Sequence, residues 1–339
     1  MNAGYRTVTG AAAALVPNPL VEGMPTHDTS PDADPLRILV AWRPDADGTE
    51  ALEFAAWLAR TTIVQVRVVM TYVRIWPTSS RNKTSSKYKK WHRHQAERYA
   101  KKVRSTLTEV NLDQSHWDDR VAVFSDGTSE ATMLTQAAED YDADLLVLGT
   151  NATAPKGRFR AGSTAETLLH SSPHPVALTP RAVKLSKRGV TRINMALLES
   201  DYTQHTQLLH FAAQLADRWK VPLRLVAFSP MGLTKTSDKI SADIARTISD
   251  EWHEQALSML DRARDAVMEN VPDLDVSTDI GAGSGWGGAV DALKWKKGDL
   301  ICLDSVERGP IERVFIGSTE AEFLRHVQAP VLLNPAPRR

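Results

Sequence analysis

The residues of this chain best suited to chemistry are glycines and hydroxyl residues around an apolar segment that ends at Leu148. Gly149 and Thr150 follow that segment directly, and Ala152 comes two positions later. After nine intervening residues a helical pattern opens with Gly162, Ser163 and Thr164. Glycines let backbone amides approach phosphate oxygens, and a helix start supplies free N–H groups and the positive end of a dipole. The spacing therefore indicates a site for phosphate groups.

The same pattern occurs a second time, 155 positions later in the chain. The segments that begin at Asp144, Gly162 and Pro175 recur at Asp299, Gly317 and Pro330. The chain therefore contains two copies of one domain. In the second copy Asp304 replaces the first glycine and Glu307 replaces Ala152. Because carboxylates at these places would repel phosphate, we expect the second repeat to have lost the phosphate site.

The elements that must position these residues alternate between strands and helices. The first repeat opens with a nearly continuous apolar run, Leu36–Trp42, which is typical of a strand covered on both faces. A helical pattern follows Thr49, and β-branched residues return over Val64–Val73. The alternation continues through both repeats and predicts an α/β fold of two tandem, doubly wound domains. Such sheets bind ligands beyond the carboxyl ends of their strands, where the strand order reverses.

The phosphate segment and the elements after it resemble the universal stress protein family, whose nucleotide-binding members carry G-x2-G-x9-G-[S/T] before a helix and a Pro-Val strand. The resemblance covers about residues 36 to 180 and 190 to 335. It implies a five-stranded parallel sheet of order 3-2-1-4-5 in each domain, flanked by helices. It also implies a stress-associated regulatory protein that binds ATP, with Mg²⁺ as the accompanying ion. Because the second repeat has carboxylates in place of its glycines, ATP is expected in the first domain only, and the lack of a catalytic constellation in the sequence predicts that the protein is not an enzyme.

Two positions of the first repeat depart from the family pattern. Ala152 stands where the family has its second glycine, and a β-carbon there costs about 1 kcal/mol or more if the site requires a positive φ. Arg43 stands where family members place an Asp that accepts hydrogen bonds from the nucleoside. Arginine cannot accept a hydrogen bond, although it could bind a phosphate, and Asp45 or Asp47 could replace the missing carboxylate. By the resemblance, Val73 is assigned to the adenine wall.

The domain limits follow from the repeats and from local composition. Residues 1 to 35 are rich in proline, lack a periodic apolar pattern and are predicted to form a disordered tail. The first domain is assigned to residues 36 to 182, a linker to 183 to 190, and a second, degenerate domain to 191 to 339. By the family resemblance, the last strands of the two domains, Pro175–Thr179 and Pro330–Leu333, pair edge to edge within one chain.

A basic stretch between residues 74 and 104 contains eleven Lys or Arg and one acid, with Tyr88, Trp91 and Tyr99 among them. Basic residues and aromatics together bind nucleic acid through phosphate contacts and base stacking. A solvated helix face is the commoner origin of such a run, so we do not expect nucleic acid. The alternative to nucleotide binding is a scaffold that binds a protein partner through this stretch.

Composition and motifs argue against several other functions. Lys and Arg together number 41, as do Asp and Glu, so no net charge attracts nucleic acid or a membrane. No apolar run approaches the roughly 18 to 20 residues that span a bilayer, and a cytoplasmic location is expected. The common hydrolase and P-loop motifs are missing from the sequence. A G-x-G-x-x-G pattern at Gly283, Gly285 and Gly288 follows the third strand of its repeat, and we interpret it as a flexible turn.

Overall fold

The structure is a computed structural model that describes residues 34–74, 85–198, 206–230, 242–304 and 319–334. Nearly all of the predicted N-terminal tail lies outside these ranges. So do three residues on which the prediction for the second repeat depends, namely Glu307, Gly317 and Ser318.

Strands and helices alternate in both repeats, as predicted. The first repeat consists of β1 (Leu36–Ala41), α1 (Glu50–Leu58), β2 (Val64–Val73), α2 (Ser86–Glu109), β3 (Trp117–Gly127), α3 (Glu130–Glu139), β4 (Leu145–Gly149), α4 (Ser163–Ser171) and β5 (Val176–Thr179). The second repeat consists of β6 (Arg192–Leu197), α5 (Thr206–Arg218), β7 (Leu223–Ser229), α6 (Ala242–Asn270), β8 (Val276–Ala282), α7 (Gly285–Asp291), β9 (Asp299–Asp304), α8 (Thr319–His326) and β10 (Val331–Asn334).

The strands form one ten-stranded sheet of order β3-β2-β1-β4-β5-β10-β9-β6-β7-β8. Within each half the neighbouring strands are parallel, which confirms the α/β class and the order 3-2-1-4-5. At the centre β5 and β10 run antiparallel, with Val331 opposite Leu178 and Leu333 opposite Val176. The last strand of one half therefore has the last strand of the other half as its neighbour.

Helices cover both faces of the sheet. On one face α1, α2, α5 and α6 pack over side chains such as Ile38 and Val40, and on the other α3, α4, α7 and α8 pack over side chains such as Leu39. Because alternate strand residues point to opposite faces and both faces are covered, inner strands such as β4 and β5 are apolar at nearly every position. This arrangement explains the continuous apolar runs in the sequence.

The place where strand order reverses lies between β1 and β4 in the first half. β1 pairs with β2 on one side and with β4 on the other, and Ala41 is opposite Leu148 in the latter pair. The loops that follow these two strands therefore begin side by side at the carboxyl edge of the sheet. Any ligand of this half is expected in the crevice between them.

The segment between the two halves is anchored on both sides. The Ser186 backbone N–H donates to the Lys297 carbonyl at 2.9 Å, and the Val190 N–H donates to the Thr61 hydroxyl at 2.8 Å. Gly189 has φ +75°, and a β-carbon on it would lie 3.0 Å from the carbonyl carbon of Arg60. Close backbone approach and a positive φ together require glycine at this position.

The G-x-G-x-x-G segment of the second half forms a tight turn between β8 and α7. A β-carbon on Gly283 would lie 2.4 Å from the carbonyl carbon of Gly288, and Gly285 has φ +67°. These glycines are therefore required by close packing and backbone conformation, which explains the pattern without a ligand. Among the described residues, none of the helices is both long and apolar enough to cross a membrane.

Each half also has an arginine buried in its second strand. The Arg67 guanidinium lies 3.9 Å from the centre of the Tyr141 ring, and that of Arg224 lies 4.9 Å from the Trp295 ring. Both arginines are less than one tenth exposed. The two halves thus share a polar interior contact that the apolar pattern of the strands did not predict.

Candidate functional site

The loop after β1 is closed by its own hydrogen bonds. The N–H groups of Ala46 and Asp47 both donate to the Arg43 carbonyl, at 3.1 and 2.9 Å, and the Asp47 carboxylate accepts from the Arg43 N–H at 2.8 Å. The buried Trp42 indole donates to the Gly48 carbonyl at 2.9 Å. These bonds hold the Arg43 side chain and the Asp47 carboxylate next to each other at the edge of the sheet.

The loop after β4 is also closed. The Thr150 hydroxyl accepts from the Arg160 N–H at 2.8 Å, and the Asn151 N–H donates to the Arg160 carbonyl at 3.2 Å. Thr150 is only 4% exposed, so its hydroxyl serves mainly to join the two ends of the loop. The Gly157 N–H donates to the Arg181 carbonyl at 2.6 Å, which ties the middle of the loop to the residues after β5.

The glycine positions of the motif differ in what their backbone requires. Ala152 is exposed and does not have a positive φ, so the strain considered for a β-carbon at this position does not arise. Gly162 has φ −93° and open space where a β-carbon would lie, and a β-carbon on Gly149 would make only an ordinary contact at 3.8 Å. The positive φ of this loop is at Gly157, at +75°.

A cleft of about 410 Å³ lies between these two loops. Thr150 and Ala152 line it, whereas Gly162, Ser163 and Thr164 do not. Its other lining residues include three acids and two cations, namely Asp45, Asp47, Glu50, Lys156 and Arg181. The volume is in the range of small-molecule sites, and the opposite charges suit a ligand with both hydroxyl and phosphate groups.

A second set of predicted residues meets around the carboxylate of Glu130, the first residue of α3. The Thr164 hydroxyl donates to its Oε2 at 2.5 Å, and the Thr71 hydroxyl of β2 donates to its Oε1 at 2.6 Å. The Arg43 Nη1 lies 3.8 Å from the same Oε1. The Glu130 side chain is 18% exposed, so these polar groups form a half-enclosed cluster beyond the ends of β1 and β2.

Arg43 lies between two carboxylates. Besides Glu130, its Nη2 is 3.3 Å from Asp47 Oδ1. Partial burial lowers the pKa of Arg43, but the charge of Asp47 and its hydrogen bond, together with the charge of Glu130, outweigh that effect and raise the pKa above its ordinary value. The guanidinium is thus a fixed positive charge at the place where the family has an acid.

Val73 and Ser163 lie apart from these contacts. Val73 is the last residue of β2 and is 43% exposed, and it does not line the cleft. Ser163 is the exposed first residue of α4. The predicted residues therefore divide into a group that lines the cleft, a group around Glu130, and exposed positions at the ends of β2 and α4.

Five charged or hydroxyl residues of this region were not predicted from the sequence: Glu50, Thr71, Glu130, Lys156 and Arg181. Lys156 lies within the nine-residue segment of the motif, which is a signal that could have been used. Glu130 is 34 positions from Thr164 and 59 from Thr71, so no local pattern connects these residues. Their meeting depends on the packing of α3 and α4 on the same face of the sheet.

The equivalent region of the second half is apolar. Glu130 and Gly285 each begin the helix after the third strand, and the strand registers place Thr71 and Phe228 at matching positions of β2 and β7. The Phe228 ring lies 4.9 Å from Phe323 and 6.3 Å from Trp286, centre to centre. An aromatic cluster thus occupies the place of the polar cluster.

The basic stretch lies outside the described ranges at residues 75 to 84, and from Ser86 onward it belongs to the long helix α2. Its eight Lys or Arg are all exposed, and none makes an ion pair with another residue of the described ranges: Lys87, Lys89, Lys90, Arg93, Arg98, Lys101, Lys102 and Arg104. The aromatic residues face inward instead. Trp91 lies 5.1 Å from the Tyr72 ring and 6.1 Å from the Phe124 ring.

Comparisons with known proteins agree with this architecture. The universal stress protein Rv2319c of Mycobacterium tuberculosis is 28% identical over 304 residues, which is 88% of this chain and all of the relative. A universal stress protein structure from Archaeoglobus fulgidus superposes with a TM-score of 0.55 at 13% identity, over 88% of this chain and 95% of that one. A putative universal stress protein structure from Pseudomonas aeruginosa gives a TM-score of 0.52 at 16% identity, with 88% and 93% covered.

The sequence profile described as the universal stress protein family matches the chain twice, over residues 36–180 and 190–335. These two matches coincide with the two halves of the ten-stranded sheet. The shared fold in the solved structures and the full-length alignment to curated relatives agree with them. The chain therefore belongs to the universal stress protein family and carries two of its domains in tandem.

Proposed function

We propose that this protein is a regulator whose first domain binds ATP in the cleft between the loops after β1 and β4. The observation that carries the proposal is the cleft itself, which has a suitable volume and lies where the strand order reverses. Thr150 and Ala152 line the cleft and are assigned to the phosphate side, together with Gly149 and the Gly162–Thr164 helix start, which lie outside the lining at the two ends of the same loop. Val73, also outside the lining, is assigned to the adenine side by the family resemblance.

Charged residues around the cleft support this orientation. Lys156 and Arg181 would pair with phosphates, and Arg43 would join them from the other side of the β1 loop. Asp45 and Asp47 offer the acceptors that a ribose requires. If Mg²⁺ accompanies the nucleotide, these carboxylates are also suitable ligands, because the ion is usually held by one or two carboxylates and by the phosphates.

We infer that the second domain does not bind ATP in this way. Asp304 replaces the first glycine of the motif, and Phe228, Phe323 and Trp286 take the place of the polar cluster around Glu130. The proposal therefore includes one nucleotide per chain, a structural role for residues 191 to 339, a first domain of residues 36 to 182, and a linker of residues 183 to 190. It also includes a cytoplasmic location and regulation by binding without catalytic turnover.

The test is isothermal titration of ATP, with and without Mg²⁺, into nucleotide-free protein. We expect one site per chain. In Gly162→Asp the new carboxylate at the helix start would repel the phosphates, so binding should be lost. Gly162→Ala is the matched control, because a β-carbon at this position meets no atom within 4 Å and φ is −93°.

Three results would contradict the proposal. Wild-type protein that neither binds ATP nor retains nucleotide on purification would exclude a nucleotide site. Equal binding by Gly162→Asp and Gly162→Ala would show that the phosphates lie elsewhere. ATP hydrolysis above background would contradict the absence of turnover.

A second candidate function is the binding of an acidic protein partner by the exposed face of α2. The observation that favours it is the set of eight exposed cations without an ion pair among the described residues. The inward-facing aromatics leave charge as the main means of recognition on this face. Such binding should weaken steeply as salt concentration rises.

The probe for this candidate is a polyglutamate peptide, followed by fluorescence anisotropy at two salt concentrations. The combined substitutions Lys89→Glu, Arg93→Glu and Lys101→Glu should abolish binding. The control carries Lys187→Glu and Arg188→Glu, which change exposed cations outside the helix. Equal binding by both variants would exclude α2 as the site, and stronger binding of duplex DNA than of polyglutamate would replace the protein partner with nucleic acid.

A further inference from the structure

We propose that the Glu130 carboxylate is an internal anion that occupies phosphate-binding groups of the first domain, so that a nucleotide must displace it in order to bind. This inference rests on the nucleotide-binding function proposed above. It concerns how that site is regulated and which ligand charge it accepts. Glu130 comes from α3, whereas Thr164, which follows the family motif directly, comes from α4.

The groups that bind Glu130 are those that would bind a phosphate. Both carboxylate oxygens accept hydroxyl hydrogen bonds, one from Thr164 at 2.5 Å and one from Thr71 at 2.6 Å, and Arg43 lies within ion-pair distance at 3.8 Å. Two hydroxyl donors and a guanidinium around one anion are the contacts that phosphate sites use. Here a side chain of the protein itself makes those contacts.

Glu130 would also oppose phosphates that approach without displacing it. Its side chain is 18% exposed, so its charge is less well screened than that of a surface acid. Asp47 binds the other side of the Arg43 guanidinium at 3.3 Å, so that single cation already has two anionic neighbours. A ligand with several negative charges therefore meets an Arg43 guanidinium whose charge is already neutralised.

With Glu130 in place, the site should disfavour ligands that carry many negative charges. The penalty from Glu130 increases with the charge on the ligand, and Mg²⁺ reduces it because the ion neutralises part of the phosphate charge. Adenosine, which has no phosphate, should be unaffected by the Glu130 charge. The affinity differences among adenosine, AMP and ATP therefore report directly on this residue.

The experiment compares wild-type protein with Glu130→Gln by isothermal titration. Glutamine keeps the size of the side chain and removes its charge. We expect ATP to bind about tenfold more tightly, or more, to Glu130→Gln than to the wild type, since a like charge a few ångströms away is removed. The gain should be smaller for AMP and for Mg²⁺-ATP, and adenosine should bind equally to both proteins.

The matched control is Glu139→Gln. Glu139 is exposed at the other end of the same helix, so this variant has the same change of net charge away from the cluster. Its affinities should equal those of the wild type. Pyrophosphate, titrated without nucleoside, is a second probe, and it should bind to Glu130→Gln more tightly than to the wild type or to Glu139→Gln.

The outcomes separate this inference from the proposed function. If the wild type binds ATP and Glu130→Gln binds it equally or more weakly, Glu130 is not an internal anion, and nucleotide binding stands. If none of the proteins binds ATP but Glu130→Gln gains pyrophosphate binding, the internal anion stands and the nucleotide function fails. If neither ATP nor pyrophosphate binds to any of them, both are overturned.

Discussion

The two halves of this chain differ in the side chains at the carboxyl ends of their first two strands. In the first half Arg43, Thr71 and Glu130 form a polar cluster there. In the second half Phe228 takes the place of Thr71 and packs against Phe323, while Gly285 takes the place of Glu130. The same arrangement of strands and helices thus supports a half-enclosed charged cluster in one copy and an aromatic cluster in the other. Where the first copy has hydrogen bonds and an ion pair, the second copy has aromatic packing.

The long helices α2 and α6 also differ between the two halves, in the sign of their charged residues. Helix α2 carries eight Lys or Arg and two Glu, whereas α6, at the corresponding place in the second half, carries three Arg and seven Asp or Glu. Both helices cover the same face of the sheet. The core constrains the packing faces of these helices but not their outer faces. The two copies therefore differ in the charge of the outer helix residues.

The largest effect is expected from the aromatic cluster. Phe323 is fully buried, so Phe323→Ala should lower the free energy of unfolding by about 3 to 5 kcal/mol, through lost burial and the cavity left behind. Urea unfolding measures this change. Phe323→Leu, which keeps most of the apolar volume, should cost less. A loss below about 1 kcal/mol for Phe323→Ala would show that the cluster is not a tightly packed core.

The next largest effect concerns Gly285, the residue of the second half that corresponds to Glu130. Gly285 has φ +67°, so Gly285→Glu should cost about 1 to 2 kcal/mol of stability from backbone strain alone. Gly285→Ala should cost nearly the same, because a β-carbon at this position meets no atom within 4 Å. Urea unfolding of the two variants measures this. If Gly285→Glu lowered the free energy of unfolding by about 1 to 2 kcal/mol and Gly285→Ala left it unchanged, the cost would come from the glutamate charge and not from backbone strain.

A smaller effect is expected when the polar cluster loses one donor. Thr71→Val removes a hydrogen bond to a carboxylate and should lower the free energy of unfolding by about 1.5 kcal/mol. Thr132→Val is the control, since Thr132 is exposed on α3 and its hydroxyl makes no hydrogen bond within the described residues. Equal stabilities of the two variants would show that Thr71 does not hold Glu130 in solution.

The smallest effect concerns the attachment of α2 to the sheet. Burial, and then the hydrogen bond and charge of Asp126, raise the pKa of Tyr88 to about 12. Because the folded state holds this proton more tightly than the unfolded state, the contribution is complete below the ordinary pKa of 10.0 and is lost as the pH rises towards 12. Between pH 10 and pH 12 the free energy of unfolding should therefore fall less steeply in Tyr88→Phe than in the wild type.

Absorbance at the tyrosinate wavelength provides the direct measurement for Tyr88. The wild type should show a component that titrates near pH 12 and that Tyr88→Phe lacks. A Tyr88 component with the ordinary pKa would mean that the contact with Asp126 is not maintained. In that case the amino-terminal end of α2 would not be attached to the sheet through Tyr88 and Asp126.

The architecture could be read from the chain because its signals are local or repeated. Apolar runs such as Leu36–Trp42 predict covered strands, and the recurrence of Asp144 and Gly162 at a constant interval predicts two copies. The family then supplies the strand order, which periodicity cannot. The sequence was least informative about glycine: Ala152 needs no positive φ, whereas Gly157, outside the motif positions, has one.

The site itself was only partly predictable. Spacing in the sequence identified Thr150, Ala152 and Thr164, but the structure places the first two at the cleft and the third against Glu130. Contacts between side chains on different elements depend on how helices and strands pack, and chain spacing does not encode those orientations. The chain by itself thus determined the repeats, the strands and the candidate phosphate segment. Only the tertiary structure decided that an internal carboxylate meets this segment in one domain and that aromatic rings fill the equivalent space in the other.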